Sequence, residues 1–233
     1  MITDIFKQIT TVQQKINHAA QLAQRNTNQI QLLAVSKTKP VSAIKQAYQA
    51  GLRHFGENYV QESIEKIQEI KADPDFDEPI HWYFIGPLQS NKTRPVAENF
   101  DWVQSVDRFK IAQRLNAQRP AELPELNICL QVNISGETNK SGTTLSQVIE
   151  LASQVSDLPR LKLRGIMAIP EKTNDIARLE KQFQALHNIY KNLQTRYPQI
   201  DTLSMGMSGD LESAIRCGST MVRVGTDIFG SRD

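Results

Sequence analysis

The chain has 233 residues, of which 39% are hydrophobic and 22% are charged. This balance excludes a disordered tail and a small protein stapled by disulfides, because it supplies enough apolar surface for a sizeable core. Basic side chains number 27 and acidic ones 25, which gives a net charge of +2. So small a charge argues against nucleic acid or an acidic membrane as a partner recruited by electrostatics.

Targeting and metal-binding signals are missing from the sequence. No run approaches the ~18 apolar residues of a membrane span, and residues 1–25 lack the pattern of a signal peptide, so we expect a cytosolic protein. We expect Cys129 and Cys217 to be reduced there. The histidines lie in separate segments without metal-ligand spacing, and no metal site is predicted.

The hydrophobic pattern predicts an initial helix followed by alternating strands and helices. Between Thr3 and Gln24 the apolar residues recur at spacings of three and four, which is typical of an amphipathic helix. Helical segments long enough for right-handed crossovers separate the short apolar runs that follow. We predict strands at residues 31–37, 53–58, 81–86, 101–106, 126–133, 161–169, 202–207 and 220–226.

Eight strand–helix units predict an α/β protein, a (β/α)8 TIM barrel that forms a single domain over residues 1–233. An open doubly wound sheet is the main alternative. It would hold fewer strands at this length or carry a GxGxxG turn, and the sequence has no such motif. Only DIFGSRD follows the eighth strand, which is too short for an outer helix. We therefore expect the extra N-terminal helix to cover the gap.

The carboxyl ends of the predicted strands are unusually polar, which matters because barrel active sites gather there. The amino ends show no comparable concentration of polar residues, so we expect one mouth of the barrel to carry the site. The polar ends are Ser36-Lys37, Glu57-Asn58, Ser105-Val106-Asp107, Asn133, residues 204–209 and residues 223–226.

Lys37 is the main candidate for covalent chemistry. It shares strand parity with Leu33 and Val35, so all three side chains are predicted to point into the barrel. Burial lowers the pKa of a lysine, and a neutral amine can attack an aldehyde to form a Schiff base. The alternative is a lysine whose stem packs on the rim while its ammonium reaches water. Lys39 is a weaker candidate, because it lies beyond the strand and precedes Pro40.

The loops after the seventh and eighth strands have the composition of a phosphate site, which these loops form in many barrels. Ser208 opens the helical segment DLESAIRCG and is predicted to be its N-cap or a phosphate ligand. Gly225 permits a close backbone approach, and Thr226 adds a hydroxyl donor. An ordinary N-cap and an ordinary turn glycine are the alternatives.

A lysine and a phosphate site at one mouth suit two kinds of chemistry. Pyridoxal 5′-phosphate is an aldehyde-bearing phosphate cofactor and needs both features. A sugar-phosphate aldolase would need the same pair, so the chemistry of the residues alone leaves both options open.

Short motifs that run in order through nearly the whole chain resolve this choice. They are AVSKTKP (34–40), FGENYVQE (55–62), WYFIGPLQSNK (82–92), SVD (105–107), VNISGE (132–137), KSG (140–142), RGIMAIP (164–170), LSMGMSGD (203–210) and GSTMVRVGTDIFGSR (218–232). Together they resemble the pyridoxal phosphate homeostasis protein family, also called the YggS or PROSC family, whose fold is similar to the barrel domain of alanine racemase.

The resemblance implies a role in cofactor binding for specific residues. Lys37 resembles the lysine that forms the Schiff base. Asn58 resembles a polar residue that lines the site beside pyridoxal phosphate. Arg223 resembles the arginine that faces the pyridine nitrogen, with a phosphate contact as the alternative. For Ser204 the resemblance implies a supporting or phosphate contact, or only a strand-end hydroxyl. The implied phosphate ligands are Ser208, Gly225 and Thr226.

The resemblance favours a non-catalytic carrier that holds pyridoxal phosphate without robust turnover and delivers it to apo-enzymes dependent on it. We expect a monomer, because the single domain shows no obvious apolar surface stripe. A racemase is the alternative, since the fold is shared. The alanine racemases that this fold resembles have longer chains, in which a tyrosine from the partner's second domain acts as the second base. We expect no such domain within 233 residues. Tyr59 and Tyr83, near strand ends, are the substitutes within this chain, although aromatic packing explains each more simply.

Overall fold

The computed structural model describes residues 4–137, 141–171 and 173–231. Lys140 of the KSG motif and Arg232 of the last motif lie outside them. Over the described residues, eight parallel strands occur in sequential order and close into a barrel, which confirms the predicted (β/α)8 fold. The strands are β1 (Gln31–Val35), β2 (His54–Glu57), β3 (His81–Phe84), β4 (Trp102–Val106), β5 (Leu126–Val132), β6 (Leu161–Ala168), β7 (Thr202–Ser204) and β8 (Met221–Val224).

Helices precede, connect and follow the strands. The first is α1 (Ile5–Leu22), and a single helical turn, α9 (Thr226–Phe229), follows β8. With four residues, α9 is too short to serve as the outer helix of the eighth unit. The connecting helices are α2 (Val41–Gln49), α3 (Val60–Ala72), α4 (Thr93–Asn99), α5 (Phe109–Gln118), α6 (Val148–Ser156), α7 (Ile176–Arg196) and α8 (Leu211–Arg216).

Seven of the eight strands end earlier than predicted, and after β1 and β7 the chain turns in left-handed backbone conformations. Strand β1 ends at Val35 and is followed by a turn in which Thr38 has φ +62°. Strand β7 ends at Ser204, and Gly206 has φ +98° two residues later. These early ends leave the polar residues of both segments in turns at the carboxyl-end mouth.

The barrel interior is filled by side chains of alternating parity. Leu33 packs in the interior and Val35 packs against the same cluster, as their shared parity predicts. Leu32 and Ala34, which alternate with them, belong to the larger core between the strands and the helices. The other members of the interior cluster are Tyr83, Ile85, Trp102, Cys129, Met167 and Met221.

Helix α1 closes the barrel on the outside next to β8 and β1. It packs against α8, α9 and α2, so it occupies the place of the missing eighth helix, as expected. Lys15 of α1 also forms an ion pair with Asp227 of α9 at 3.0 Å. The face of α1 that is turned to the barrel consists of Ile5, Ile9, Val12, Ile16, Ala19 and Ala20, all buried.

We predict that removal of residues 1–24 abolishes the cooperative unfolding transition in urea. Burial of each large aliphatic side chain contributes about 1.5–3 kcal/mol, and a whole domain is stable by only about 5–15 kcal/mol. A matched pair of point variants gives a graded test. Ile16→Ala, at a fully buried side chain, should lower the free energy of unfolding by about 2–5 kcal/mol. Phe6→Ala, on the same helix but 48% exposed, should change it much less. A truncated chain that unfolds like the full chain would contradict this role of α1.

Candidate functional site

The structure brings the predicted site residues to one mouth of the barrel. Lys37 lies half-buried in the turn after β1, and Asn58 directly follows β2. Ser208 lies in the turn between β7 and α8, and Gly225 and Thr226 directly follow β8. Because all eight strands are parallel, their carboxyl ends share this mouth. Ser204 and Arg223 lie within β7 and β8, one layer below it.

Both sequence neighbours of Lys37 are held by glutamate side chains. The Ser36 hydroxyl donates a hydrogen bond to Oε1 of Glu57 at 2.6 Å, and Ser36 is fully buried. The backbone N–H of Thr38 donates to Oε1 of Glu62, also at 2.6 Å. The backbone that carries Lys37 is therefore anchored on each side by a charge-assisted hydrogen bond.

Lys39 has a different setting from Lys37. Its Nζ donates a hydrogen bond to the backbone oxygen of Ser231, at 2.8 Å, near the end of the described chain. Its ammonium thus ties the β1 turn to the segment after α9. This contact gives Lys39 a structural role and makes it the natural control for Lys37.

The turn before α8 differs from the prediction in one respect. The N-cap of α8 is Asp210, so the predicted N-cap role of Ser208 was wrong. The Asp210 carboxylate accepts a hydrogen bond from the backbone N–H of Met207 at 2.5 Å, and burial raises the pKa of this carboxyl. Asp210 therefore holds the turn through Met207. The Ser208 hydroxyl has no hydrogen-bond partner among the described residues, which leaves it available to a ligand.

The turn after β8 comes very close to the end of β1. A Cβ atom on Gly225 would lie 3.1 Å from the backbone oxygen of Val35 and 3.3 Å from its Cβ. Contacts this tight disfavour any side chain at Gly225. The approach places Gly225 and Thr226 beside the end of β1, which lies two residues before Lys37.

Arg223 places a positive charge inside the barrel. It is 4% exposed, and its guanidinium donates to Oγ of Ser204 at 2.7 Å and to the backbone oxygen of Ala168 at 2.9 Å. The Ser204 hydroxyl in turn donates to Oε1 of Gln104 at 2.8 Å. Burial lowers the pKa of Arg223 to about 10, so it stays cationic at neutral pH. No ion pair within the described ranges includes Arg223, which favours an anionic ligand at this mouth.

Asn58 carries an unsatisfied acceptor beside the same mouth. Its Oδ1 is buried and has no hydrogen-bond partner in the described part of the chain. The Asn58 backbone is held by close packing, because a Cβ on Gly86 would lie only 2.2 Å from its oxygen. A buried acceptor without a donor costs about 1–3 kcal/mol, and a ligand with a donor group would satisfy it.

A cavity of about 550 Å³ opens beside the Ser208 turn, where β6 and β7 end. Such a volume lies within the usual range for cofactor and small-ligand pockets. Its lining comes from the segment after β6 and from the turn before α8. The residues are Pro170, Glu171, Thr173, Asn174, Leu179, Met207, Gly209 and Asp210.

Of the side chains that hold the Lys37 turn, Glu57 was predicted only as a polar strand end, and Glu62 and Lys66 were not predicted at all. Gln104 was not predicted either. Gln104 lies in the middle of an apolar strand and gives no local signal. For Glu62 the available signal was its spacing of four residues from Lys66, but an exposed ion pair on a helix has the same spacing. Among the described residues, no group of acidic, histidine and cysteine side chains could hold a metal ion. No described helix has the length and hydropathy needed to cross a membrane.

The amino-end mouth contradicts the expectation that polar residues are sparse there. A second cavity of about 550 Å³ is lined by residues from every strand, among them His54, Tyr83, Asn127, Arg164 and Asp201. Many of these groups are satisfied by one another. Arg164 pairs with Asp201 at 2.5 Å and donates to Asn127 at 2.8 Å. Nδ1 of His54 lies 3.0 Å from the Tyr83 hydroxyl, so Tyr83 belongs to this end and not to the carboxyl-end mouth.

A family model described as the N-terminal domain of alanine racemase matches residues 12–233. The pyridoxal phosphate homeostasis protein of Pasteurella multocida is 54% identical, over 98% of this chain and 98% of its own length. That of Escherichia coli K12 is 53% identical, over 100% of this chain and 98% of its own.

Solved structures extend these similarities to the fold. PipY of Synechococcus elongatus PCC7942, solved with PLP bound, is 36% identical with a TM-score of 0.78, covering 93% of this chain and 100% of that one. The alanine racemase of Corynebacterium glutamicum has a TM-score of 0.65 at 12% identity, and the match covers 95% of this chain and 61% of the racemase. At that identity the likeness shows the fold alone.

We predict that His54 makes the protein sensitive to acid. Burial, with a smaller effect of the neighbouring His81, lowers the pKa of His54 from 6.5 to about 4. The unfolded chain therefore takes up a proton at a higher pH than the folded one. The free energy of unfolding should fall, by up to about 3 kcal/mol from this group, as the pH drops from about 6.5 to about 4.

The measurement is urea denaturation at a series of pH values. His54→Gln should show a shallower pH dependence than the wild type. Equal slopes in the two proteins would show that folding does not lower the pKa of His54.

Proposed function

The chain belongs to the pyridoxal phosphate homeostasis protein family, and from this premise we propose that it binds pyridoxal 5′-phosphate at the carboxyl-end mouth, with Lys37 as the covalent anchor. The observation that carries the proposal is the close approach of the Gly225 turn to the end of β1. It supports the proposal because it brings the turn after β8, to which we assign phosphate binding, close to the strand end that precedes Lys37. A carboxyl-end site of this kind is usual for barrels.

Pyridoxal 5′-phosphate supplies an aldehyde that condenses with a lysine amine, releasing water, and a phosphate group that needs several donors. Lys37 provides the amine. The Ser208 hydroxyl, the Thr226 hydroxyl and the backbone at Gly225 provide the phosphate site, and Asn58 offers its buried oxygen to a donor on the ring. The residues present therefore fit the cofactor.

The position of Arg223 within the barrel supports a contact with the ring. The phosphate ligands lie in the turns, whereas the Arg223 guanidinium is held in the layer below them by Ser204 and Ala168. A fixed cation beside the pyridine nitrogen keeps that nitrogen unprotonated. This weakens the ring as an electron sink, so we propose a carrier that holds the cofactor without robust turnover.

An amino acid racemase is the alternative function, and one observation keeps it open. A racemase needs an acid–base group on the second face of the ring. Tyr83 faces the opposite mouth, but Tyr59 lies at the carboxyl side, where it precedes α3 and is 49% exposed. A tyrosine so exposed to water lacks the dry surroundings that favour removal of an α-proton.

The proposal includes the partners and the setting of the carrier. We propose that the protein acts as a cytosolic monomer and passes the cofactor to apo-enzymes that depend on it. We propose no nucleic acid or membrane as a partner, because a net charge of +2 is too small to attract either one. Reversible binding supports such transfer, because the bond to Lys37 forms with release of one water molecule and breaks by hydrolysis, with no other reactant.

We predict that substitution of Lys37, and not of Lys39, abolishes covalent attachment of the cofactor. Wild type, Lys37→Ala and Lys39→Ala are incubated with pyridoxal phosphate, reduced with borohydride and analysed by peptide mass mapping. Wild type and Lys39→Ala should carry the cofactor on the peptide that contains Lys37. Lys37→Ala should carry at most traces. Full labelling of Lys37→Ala at another lysine would refute the proposed anchor.

We predict that the holo-protein transfers its cofactor but does not exchange the α-protons of amino acids. Exchange is followed by NMR in deuterated water with several L-amino acids, and transfer by the activity gained by a pyridoxal phosphate-dependent apo-enzyme. Tyr59→Phe serves as the comparison, because it removes the tyrosine hydroxyl that is the candidate second base on the carboxyl side. Rapid exchange in the wild type that is lost in Tyr59→Phe would establish the racemase function instead.

A further inference from the structure

Helix α3 carries a lysine whose ammonium is buried against the Lys37 turn. The Lys66 side chain is only 9% exposed. Its Nζ lies 2.9 Å from the backbone oxygen of Ser36, 3.0 Å from Oε1 of Glu57 and 2.5 Å from Oε1 of Glu62. These contacts use all of the donors that a lysine ammonium has.

Each of the three acceptors leads to a sequence neighbour of Lys37. The first is the carbonyl of Ser36 itself. The second, Glu57, also accepts the Ser36 hydroxyl at 2.6 Å. The third, Glu62, also accepts the backbone N–H of Thr38 at 2.6 Å. One buried cation therefore links the residue before Lys37 to the residue after it.

Stability alone does not account for this cluster. Burying an ion pair costs so much desolvation that apolar replacements of similar volume are often equally stable. The Glu57 side chain is fully buried, its Oε2 has no hydrogen-bond partner among the described residues, and burial raises its pKa. Thr38, a β-branched residue, is held at φ +62°, a conformation that such residues rarely adopt. The cluster holds the backbone in a local conformation that is itself unfavourable.

We propose that Lys66 is a positioning residue, which directs the Lys37 side chain toward the mouth by fixing Ser36 and Thr38 through Glu57 and Glu62. Lys66 acts through these neighbours and has no contact with the cofactor. The proposal rests on the proposed function, since it requires Lys37 to be the covalent anchor. It adds to that function a buried cluster of Lys66, Glu57 and Glu62 that determines the direction of the Lys37 amine.

The test uses Lys66→Met, which keeps most of the side-chain volume and removes the ammonium. Lys45→Met is the matched control, because Lys45 of α2 is also a lysine paired with two carboxylates, Asp73 and Asp75, away from the Lys37 turn. In the cofactor-free proteins, hydrogen exchange of the Thr38 amide reports on the turn. In the loaded proteins, the dissociation constant for pyridoxal phosphate and the circular dichroism of its absorption band report on the anchor.

For Lys66→Met we expect exchange at Thr38 to become about tenfold faster and the dissociation constant to rise about tenfold, the effect of losing a charge-assisted hydrogen bond. The circular dichroism of the bound cofactor should change in amplitude, since the ring is held at another angle. Lys66→Arg should restore most of the slow exchange at Thr38 and most of the affinity for pyridoxal phosphate. Lys45→Met should match the wild type in all three measurements.

A second pair of variants keeps the test decisive if Lys66→Met does not fold. Glu62→Leu removes the acceptor of the Thr38 amide at a side chain that is 31% exposed, and Glu62→Gln restores an acceptor oxygen. Glu62→Leu should reproduce the faster exchange and the weaker binding, and Glu62→Gln should reverse them.

Two outcomes would overturn the positioning role. One is faster exchange at Thr38 with unchanged affinity and circular dichroism, which would make the cluster structural only. The other is no change in exchange at all. Failure of the proposed function is distinguishable from both, because the wild type itself would then not attach the cofactor to Lys37, while the exchange arm would still report whether Lys66 holds the turn.

Discussion

The pairing of β1 with β8 is the constraint on which the rest of the structure depends. The register places Gln31 opposite Met221 and Ala34 opposite Val224, which closes the barrel and joins the first strand to the last. The turns that follow these two strands therefore become neighbours, although almost the whole chain separates them. Helix α1 covers this seam on the outside. A gap at the seam would separate the Lys37 turn from the Gly225 turn and leave no site.

Two buried cations, one on each side of strand β1, give the mouth its chemistry. Arg223 lies inside the barrel, has no carboxylate in direct contact among the described residues, and is held by a hydroxyl and a backbone oxygen. Lys66 lies between β1 and α3 and is fully hydrogen-bonded. Burying such charges is costly, so their presence here points to function. In our account Arg223 tunes the ring of the cofactor, and Lys66 fixes the backbone that carries its anchor.

The architecture followed from periodicity, whereas the details of the site depended on contacts between distant segments. The alternation of Leu33 and Val35 and the three-and-four spacing of α1 are local signals of burial, and both predictions were confirmed. The cap of α8 was misassigned because Ser208 and Asp210 are both good caps, and the choice depends on the turn at Gly206. The Glu57 and Lys66 contacts join a strand to a helix, and no local pattern distinguishes them from surface charges. The polar amino-end mouth was missed for the same reason, since Arg164 and Asp201 meet only through the pairing of β6 with β7.

The central claim is that an amine from the β1 turn and an anion site from the β7 and β8 turns act on one cofactor. The most direct measurement is a crystal structure of the wild-type protein with pyridoxal 5′-phosphate. Our account predicts continuous density from Nζ of Lys37 to the cofactor, with the phosphate at the Ser208 and Gly225 turns and the ring beside Arg223. Cofactor bound in the amino-end cavity, or attached to another lysine with the Gly225 turn empty, would contradict it.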